Sequence, residues 1–133
     1  MTIELRNADA LQTPRGFSHA SIAPPGRIVH LAGQLGTDAD GGLTDGFAAQ
    51  TEQAMTNVVT ALAAAGAGPE DLAKLTIYAV GWTEAMQPEL GAGLLAAAES
   101  TRLPQVPITL IGVQALFVDA AVVEIEAVAV LPD

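Results

Sequence analysis

Apolar and small positions recur from Phe47 through Thr51, Ala54, Met55, Val58, Val59 and Leu62 to Ala65. A period of about 3.6 residues predicts a helix of about 20 residues with one stripe on a core. The stripe stops at Gly66-Ala67-Gly68-Pro69, where glycine takes a left-handed cap and proline cannot continue the helix. A second helical stretch covers about residues 84–100, with Leu90, Leu94, Leu95 and Ala98 on one face. Pro88 fits inside its first turn, where the missing amide hydrogen costs nothing. Residues 27–32, 74–80, 108–113 and 122–128 are rich in β-branched side chains and bounded by Gly, Pro or Asp, which predicts strands. Residues 18–22 add a short strand, expected to pair across the turn at Pro24-Pro25-Gly26. The resulting order is an α+β layout, with one mixed sheet and two helices.

Side chains alternate along a strand, so the last one has two distinct rows. Val123, Ile125, Ala127, Ala129 and Leu131 form an apolar row suited to the helices, and Val122, Glu124, Glu126, Val128 and Val130 form the other. In residues 108–116 both rows are largely apolar. Two helices cover one face only, and monomers seldom leave such a patch bare, so self-association through the helix-free side is expected.

Composition narrows the partners. The chain has 133 residues, which suits one domain over 1–133, and a net charge of −10, which disfavours nucleic acid and anionic membranes. It contains no cysteine, which removes disulfides, thiolate nucleophiles and sulfur-based zinc sites. Apolar runs fall well short of the roughly 20 residues a bilayer needs. Residues 1–6 lack the basic-then-apolar layout of a signal peptide, so a cytoplasmic location is expected.

Few residues offer chemistry. Glu124 and Glu126 lie on one strand face, roughly 7 Å apart at about 3.3 Å per residue. Inside an apolar run, such a carboxylate is either a base or water-orienting acid in a cleft, or a solvated or interface-paired group. Ser18-His19 suggests a nucleophile and base, but neighbours on an extended chain point apart, and a hydrogen-bonded loop fits better. His30 suits a buried or rim position within a strand, and two histidines without metal-ligand spacing imply no metal site. Asp38-Ala39-Asp40-Gly41-Gly42 looks like the start of a calcium loop, but Ala49 stands where the bidentate Glu belongs, so a hairpin turn is expected. Phe17 either lines a ligand cleft or plugs the core edge.

These motifs together resemble the Rid (YjgF/RidA) family. Gly16-Phe17-Ser18-His19-Ala20 and Leu31-Ala32-Gly33-Gln34-Leu35-Gly36 are similar to its "YSQA … LSGQ" opening. Residues 53–66 resemble its first helix, and Val123-Glu124-Ile125-Glu126-Ala127-Val128-Ala129 its "VEIEAxA" ending. The resemblance implies a chorismate-mutase-like α+β fold and a homotrimer whose sheets line the centre, with three small-molecule clefts between subunits. It further implies cofactor-independent hydrolysis of enamines or imines to 2-oxo acids and ammonia. In that chemistry an arginine grips the substrate carboxylate and a glutamate positions water. Carried across, Glu124 takes the glutamate's place, Gly33 and Ala32 the cleft wall, and Phe17 the ring of a cleft tyrosine. The arginine falls at Ile108, and Arg102 lies six residues upstream. The expectation is therefore a Rid-type hydrolase with an altered, more apolar cleft. The alternative is a trimer that binds a small molecule without turning it over. Ribonuclease activity, a label attached to some relatives, sits poorly with the acidic charge.

Overall fold

The computed structural model describes residues 2–133; Met1, part of the amino-terminal stretch considered above for a leader, lies outside them. The elements run β1 (Glu4–Arg6), β2 (Ala20–Ile22), β3 (Gly26–His30), β4 (Gln34–Leu35), α1 (Phe47–Ala64), β5 (Leu72–Val80), α2 (Gln87–Thr101), β6 (Ile108–Val113) and β7 (Val123–Pro132). Strand order is β3-β7-β5-β6, with β4 also paired to β7. β7 is antiparallel to β3, β4 and β5, while β5 and β6 run parallel. Parallel neighbours need a crossover, and α2 supplies it. The result is one α+β domain with a mixed sheet and two packed helices. Among the described residues no helix is long and apolar enough to cross a membrane.

α1 buries Phe47, Thr51, Ala54, Met55, Val58 and Leu62 of the expected stripe and adds Gln50, while Val59 is half-buried and Ala65, just past the helix end, is exposed. Each fully buried Met, Val or Leu side chain contributes about 1.5–3 kcal/mol. Its end is set by Gly66 at φ 78°: Gly66 N–H donates to Ala63 O and Ala67 N–H to Leu62 O, the paired bonds of a left-handed cap. Pro88 sits in the first turn of α2, as its missing donor requires. Residues 84–86 form a separate 3₁₀ turn ahead of it, so the helix itself begins at Gln87.

The contact face of α2 differs from the leucine face expected from spacing. Gly93 and Ala97 are its buried residues, and a Cβ at Gly93 would lie 2.6 Å from Ala48 O of α1. Small side chains let the two backbones approach, so Leu90 and Leu94 flank the contact and Leu95 is left 62% exposed. The other departure is β2. It pairs with β1, Leu5 opposite Ser21, instead of folding across the Pro24-Pro25 turn onto β3. The backbone of β3 is instead taken by β7.

From Val123 to Ala129 the two rows of β7 separate as alternation requires, whereas at the strand's end Val130 of the outer row is buried and Leu131 of the helix-facing row is half-buried. Val123, Ile125, Ala127 and Ala129 are buried beneath the helices. Glu124, Glu126 and Val128 face the helix-free side, together with Thr76 and Tyr78 of β5 and His30 of β3 by register. That side is less uniformly apolar than expected. Ile28 and Ile111, 64% and 42% exposed, stand on the outer strands, but its centre carries Lys74, Thr76, Tyr78 and the two glutamates.

Two polar side chains of α1 hold the loops around the sheet. Asn57 Nδ2 donates to Leu35 O and Thr37 O, fixing β4. Gln50 Nε2 donates to Ala120 O, and its Oε1 accepts from Val122 N–H, fixing the approach to β7. Neither Gln50 nor Asn57 breaks the helical spacing, so nothing in the periodicity marks them as straps.

Candidate functional site

The chemistry-bearing residues fall into two groups. The first lies on the helix-free face where β4, β7 and β5 meet. Register places Glu124 opposite both Leu35 and Tyr78, with Glu126 opposite Thr76. Tyr78 reaches diagonally and its hydroxyl donates to Glu126 Oε1. Foremost this hydrogen bond, then burial and the charges of Glu126 and Glu124, raise the Tyr78 hydroxyl above its usual pKa. Glu126 is therefore engaged within the protomer. Glu124 is not: among the described residues the one ion pair joins Arg6 to Glu4, so no cation neutralises Glu124.

Gly33 explains how Glu124 is placed. A Cβ at position 33 would lie 2.5 Å from Glu124 Cδ and 2.7 Å from Cγ. The carboxylate thus occupies the space a side chain would fill. Ala32 precedes this glycine, and its carbonyl accepts from Gln34 Nε2. Leu31 N–H donates to Ala127 O, which carries the strand pairing up to this corner. Glu124, Gly33 and Ala32 are brought together here; Phe17 and Ile108 are not.

The second group lies at the start of α2. An open hollow of about 820 Å³ is lined by Leu11, Gln12, Thr13, Arg15, Phe17, His19 and Gln87. His19 builds its wall. His19 N–H donates to Asn7 Oδ1, its Nδ1 accepts from Ala8 N–H, and its Nε2 faces Gln12 O at 3.0 Å. These partners fix the Nε2–H tautomer and commit both ring nitrogens, so His19 is a hydrogen-bonded loop residue and not a base for Ser18. The Phe17 ring meets the His19 ring edge-on, centroids 6.2 Å apart. Ser18 N–H donates to Val106 O, so this segment runs beside the chain leading into β6. Ile108 opens β6 opposite Leu75, a buried core residue, and packs against the core on the helix-covered side. Arg102 ends α2 in a left-handed conformation, about 22 Å along the helix from Gln87 at 1.5 Å per residue. It is remote from the hollow.

The remaining candidates are structural. Asp38 Oδ1 accepts from Asp40 N–H and Gly42 N–H, and Thr37 bridges Leu43: the hairpin turn expected of this stretch. His30 is exposed on the rim of a smaller hollow of about 270 Å³ with Lys74, Thr76 and Glu126. Among the described residues no three His, Asp or Glu side chains converge as metal ligands. Arg15 and Tyr78 were not singled out by sequence as site residues; only the fold brings Arg15 to Gln87 and Tyr78 to Glu126.

Comparison with known proteins agrees with this geometry. A family model described as Endoribonuclease L-PSP matches residues 7–131. A Yersinia pestis protein of unknown function, YyfB of the conserved Rid family, is 34% identical with a TM-score of 0.86, covering 98% of this chain and 100% of its own. RidA from an Antarctic Psychrobacter is 26% identical with a TM-score of 0.68, over 96% of this chain and 98% of its own. Escherichia coli TdcF, solved with bound serine, is 20% identical over 98% of both chains at a TM-score of 0.70, a likeness of fold. No protein of curated function matches. A family match spanning nearly every described residue, on a sheet and helix arrangement shared with these relatives, makes this chain a member of the Rid family, the Endoribonuclease L-PSP group.

Proposed function

We propose that this protein is a cofactor-independent hydrolase of a reactive enamine or imine, acting in seams between copies of a homotrimer in the cytoplasm. The observation that carries the reading is the contrast between the two glutamates. Glu126 is engaged by Tyr78, whereas Glu124 is seated on Gly33 and forms no ion pair among the described residues. A carboxylate held in this way is suited to orienting or deprotonating a water. Water adds to the C=N carbon of the imine, and the resulting carbinolamine releases ammonia to leave a 2-oxo product. Ala32 and Gly33 form one wall.

Phe17 completes the cleft from a neighbouring copy; Ile108, packed on the core at the start of β6, contributes only the lack of a cation there. Within one protomer the Phe17 hollow adjoins the start of α2, while Glu124 faces the helix-free side. A site using both needs two copies, and the exposed Ile28 and Ile111 supply apolar surface for their packing. Isoleucine at position 108 offers no guanidinium fork, so 2-iminobutanoate is hydrolysed more slowly than by an arginine-bearing relative.

The test is Glu124→Gln. The imine is generated in place by a threonine dehydratase and the 2-oxo product is followed. Turnover falls by about 100-fold or more, the usual contribution of a general base, while sedimentation still gives a trimer. Full turnover in this variant removes the hydrolase reading. A second reading, a trimer that binds a small molecule without turnover, is favoured by Ile108 alone. Wild-type protein that binds 2-oxo acids yet releases no product from any imine would establish it. The −10 charge argues against an RNA substrate.

A further inference from the structure

We infer that Arg15 is the anion-holding residue of this protein, and that the hollow it shares with Phe17 and Gln87 selects small carboxylates over uncharged molecules of the same shape. Three observations lead there. Arg15 is the sole Arg, Lys, Asp or Glu among the described lining residues, and both ring nitrogens of His19 are engaged by the backbone of Ala8 and Gln12. No carboxylate neutralises it: the one ion pair among the described residues lies elsewhere, between Arg6 and Glu4. Arg27, Lys74 and Arg102 are likewise outside any ion pair among the described residues, so what sets Arg15 apart is its place on the lining of the larger hollow beside Phe17 and Gln87.

One wall of the hollow is also shaped in advance. The His19 hydrogen bonds, with Leu11 N–H donating to Ala8 O, hold residues 7–12 in place. That part of the ordering cost is met by the fold before a ligand arrives, and the exposed Arg15 side chain is ordered on binding. The lining divides by chemistry: Leu11 and the Phe17 ring suit a short aliphatic group, while Gln12, Thr13 and Gln87 offer hydrogen bonds. A guanidinium donates two parallel N–H bonds to a carboxylate, a geometry that lysine cannot copy. The anion is thus held from position 15, with position 108 apolar.

This inference rests on the proposed cleft, but binding and turnover fail separately. Isothermal titration with 2-oxobutanoate, and with its uncharged amide, reads the binding. Wild-type protein binds the anion at least about tenfold more tightly than the amide, as expected for a charge-assisted pair. Arg15→Gln loses about tenfold or more in affinity for the anion and leaves the amide unchanged; Arg15→Lys falls between. Arg102→Gln, at the far end of α2, binds as wild type and excludes a general charge effect. The inference is overturned by equal affinity for anion and amide, by Arg15→Gln binding like wild type, by equal losses at Arg15 and Arg102, or by no binding of the anion. Arg15-dependent binding without Glu124-dependent turnover leaves this inference standing and removes the proposed hydrolysis; turnover with binding indifferent to Arg15 does the reverse.

Discussion

Gly33→Ala isolates the placement of Glu124 from the fold. The new Cβ would sit 2.5 Å from Glu124 Cδ and 2.7 Å from Cγ, where ordinary contact needs about 3.5–4.0 Å. The carboxylate carbon must retreat by about 1 Å or more to restore that distance. Two small terms decide stability. Gly33 is not among the residues with positive φ, so alanine is unstrained there and restricts the unfolded chain, a gain of about 0.4–1 kcal/mol. Turning Glu124 off its rotamer costs about 0.5–1.5 kcal/mol. The sum is close to zero, within about 1 kcal/mol. Activity has no such offset, because a misplacement of about 1 Å costs on the order of 100-fold. The expected result is a nearly unchanged melting temperature with imine hydrolysis reduced about 100-fold. Thermal melts and the coupled 2-oxo acid assay read the two quantities on the same preparation. Adding Glu124→Ala removes the collision, so the single substitutions are non-additive in rate. Gly33→Ala protein with wild-type turnover would refute the claim that the position of this carboxylate matters.

Tyr78→Phe gives a pH-dependent loss. The folded protein holds the Tyr78 hydroxyl above its usual value, so its contribution is complete below about pH 10 and is lost as pH rises through the folded pKa. The melting-temperature gap between wild type and Tyr78→Phe is constant from pH 7 to 9 by this argument and narrows above about pH 10; a gap that widens with alkali contradicts it. Gln50→Leu keeps the bulk of a residue that is 4% exposed but strands Ala120 O and Val122 N–H. Urea denaturation should show a loss of about 2–4 kcal/mol, with faster hydrogen exchange at Val122, since each unpaired group costs about 1–3 kcal/mol. Unchanged exchange there would dismiss Gln50 as a strap.

What the sequence disclosed follows from which physical signals are periodic. The stripe of α1 and the alternating rows of β7 are set by burial on one side, which leaves a regular trace from Phe47 to Leu62 and from Val123 to Ala129. The pairing of β2 with β1 leaves none, because three-residue strands carry too little pattern to name a partner. The leucine face of α2 misled for a related reason: spacing finds the bulky side chains, whereas close helix approach is made by Gly93 and Ala97. The site divides in the same way. Glu124 and Gly33 stood within recognisable stretches, and their contact then appeared in three dimensions. The engagement of Glu126 needed the register that puts Tyr78 diagonal to it. Arg15 needed more still, since its hollow is assembled from a loop and a helix start that are far apart in the chain.

The division of the chemistry between the hollow at the start of α2 and the helix-free face of the sheet has a bearing on how such a protein is switched off. Phe17 and Arg15 line the first and Glu124 stands on the second. If the seam between copies is where they meet, scarcity alone disables it: each separated copy keeps its shape, its helices and every named side chain, and is inert for want of company.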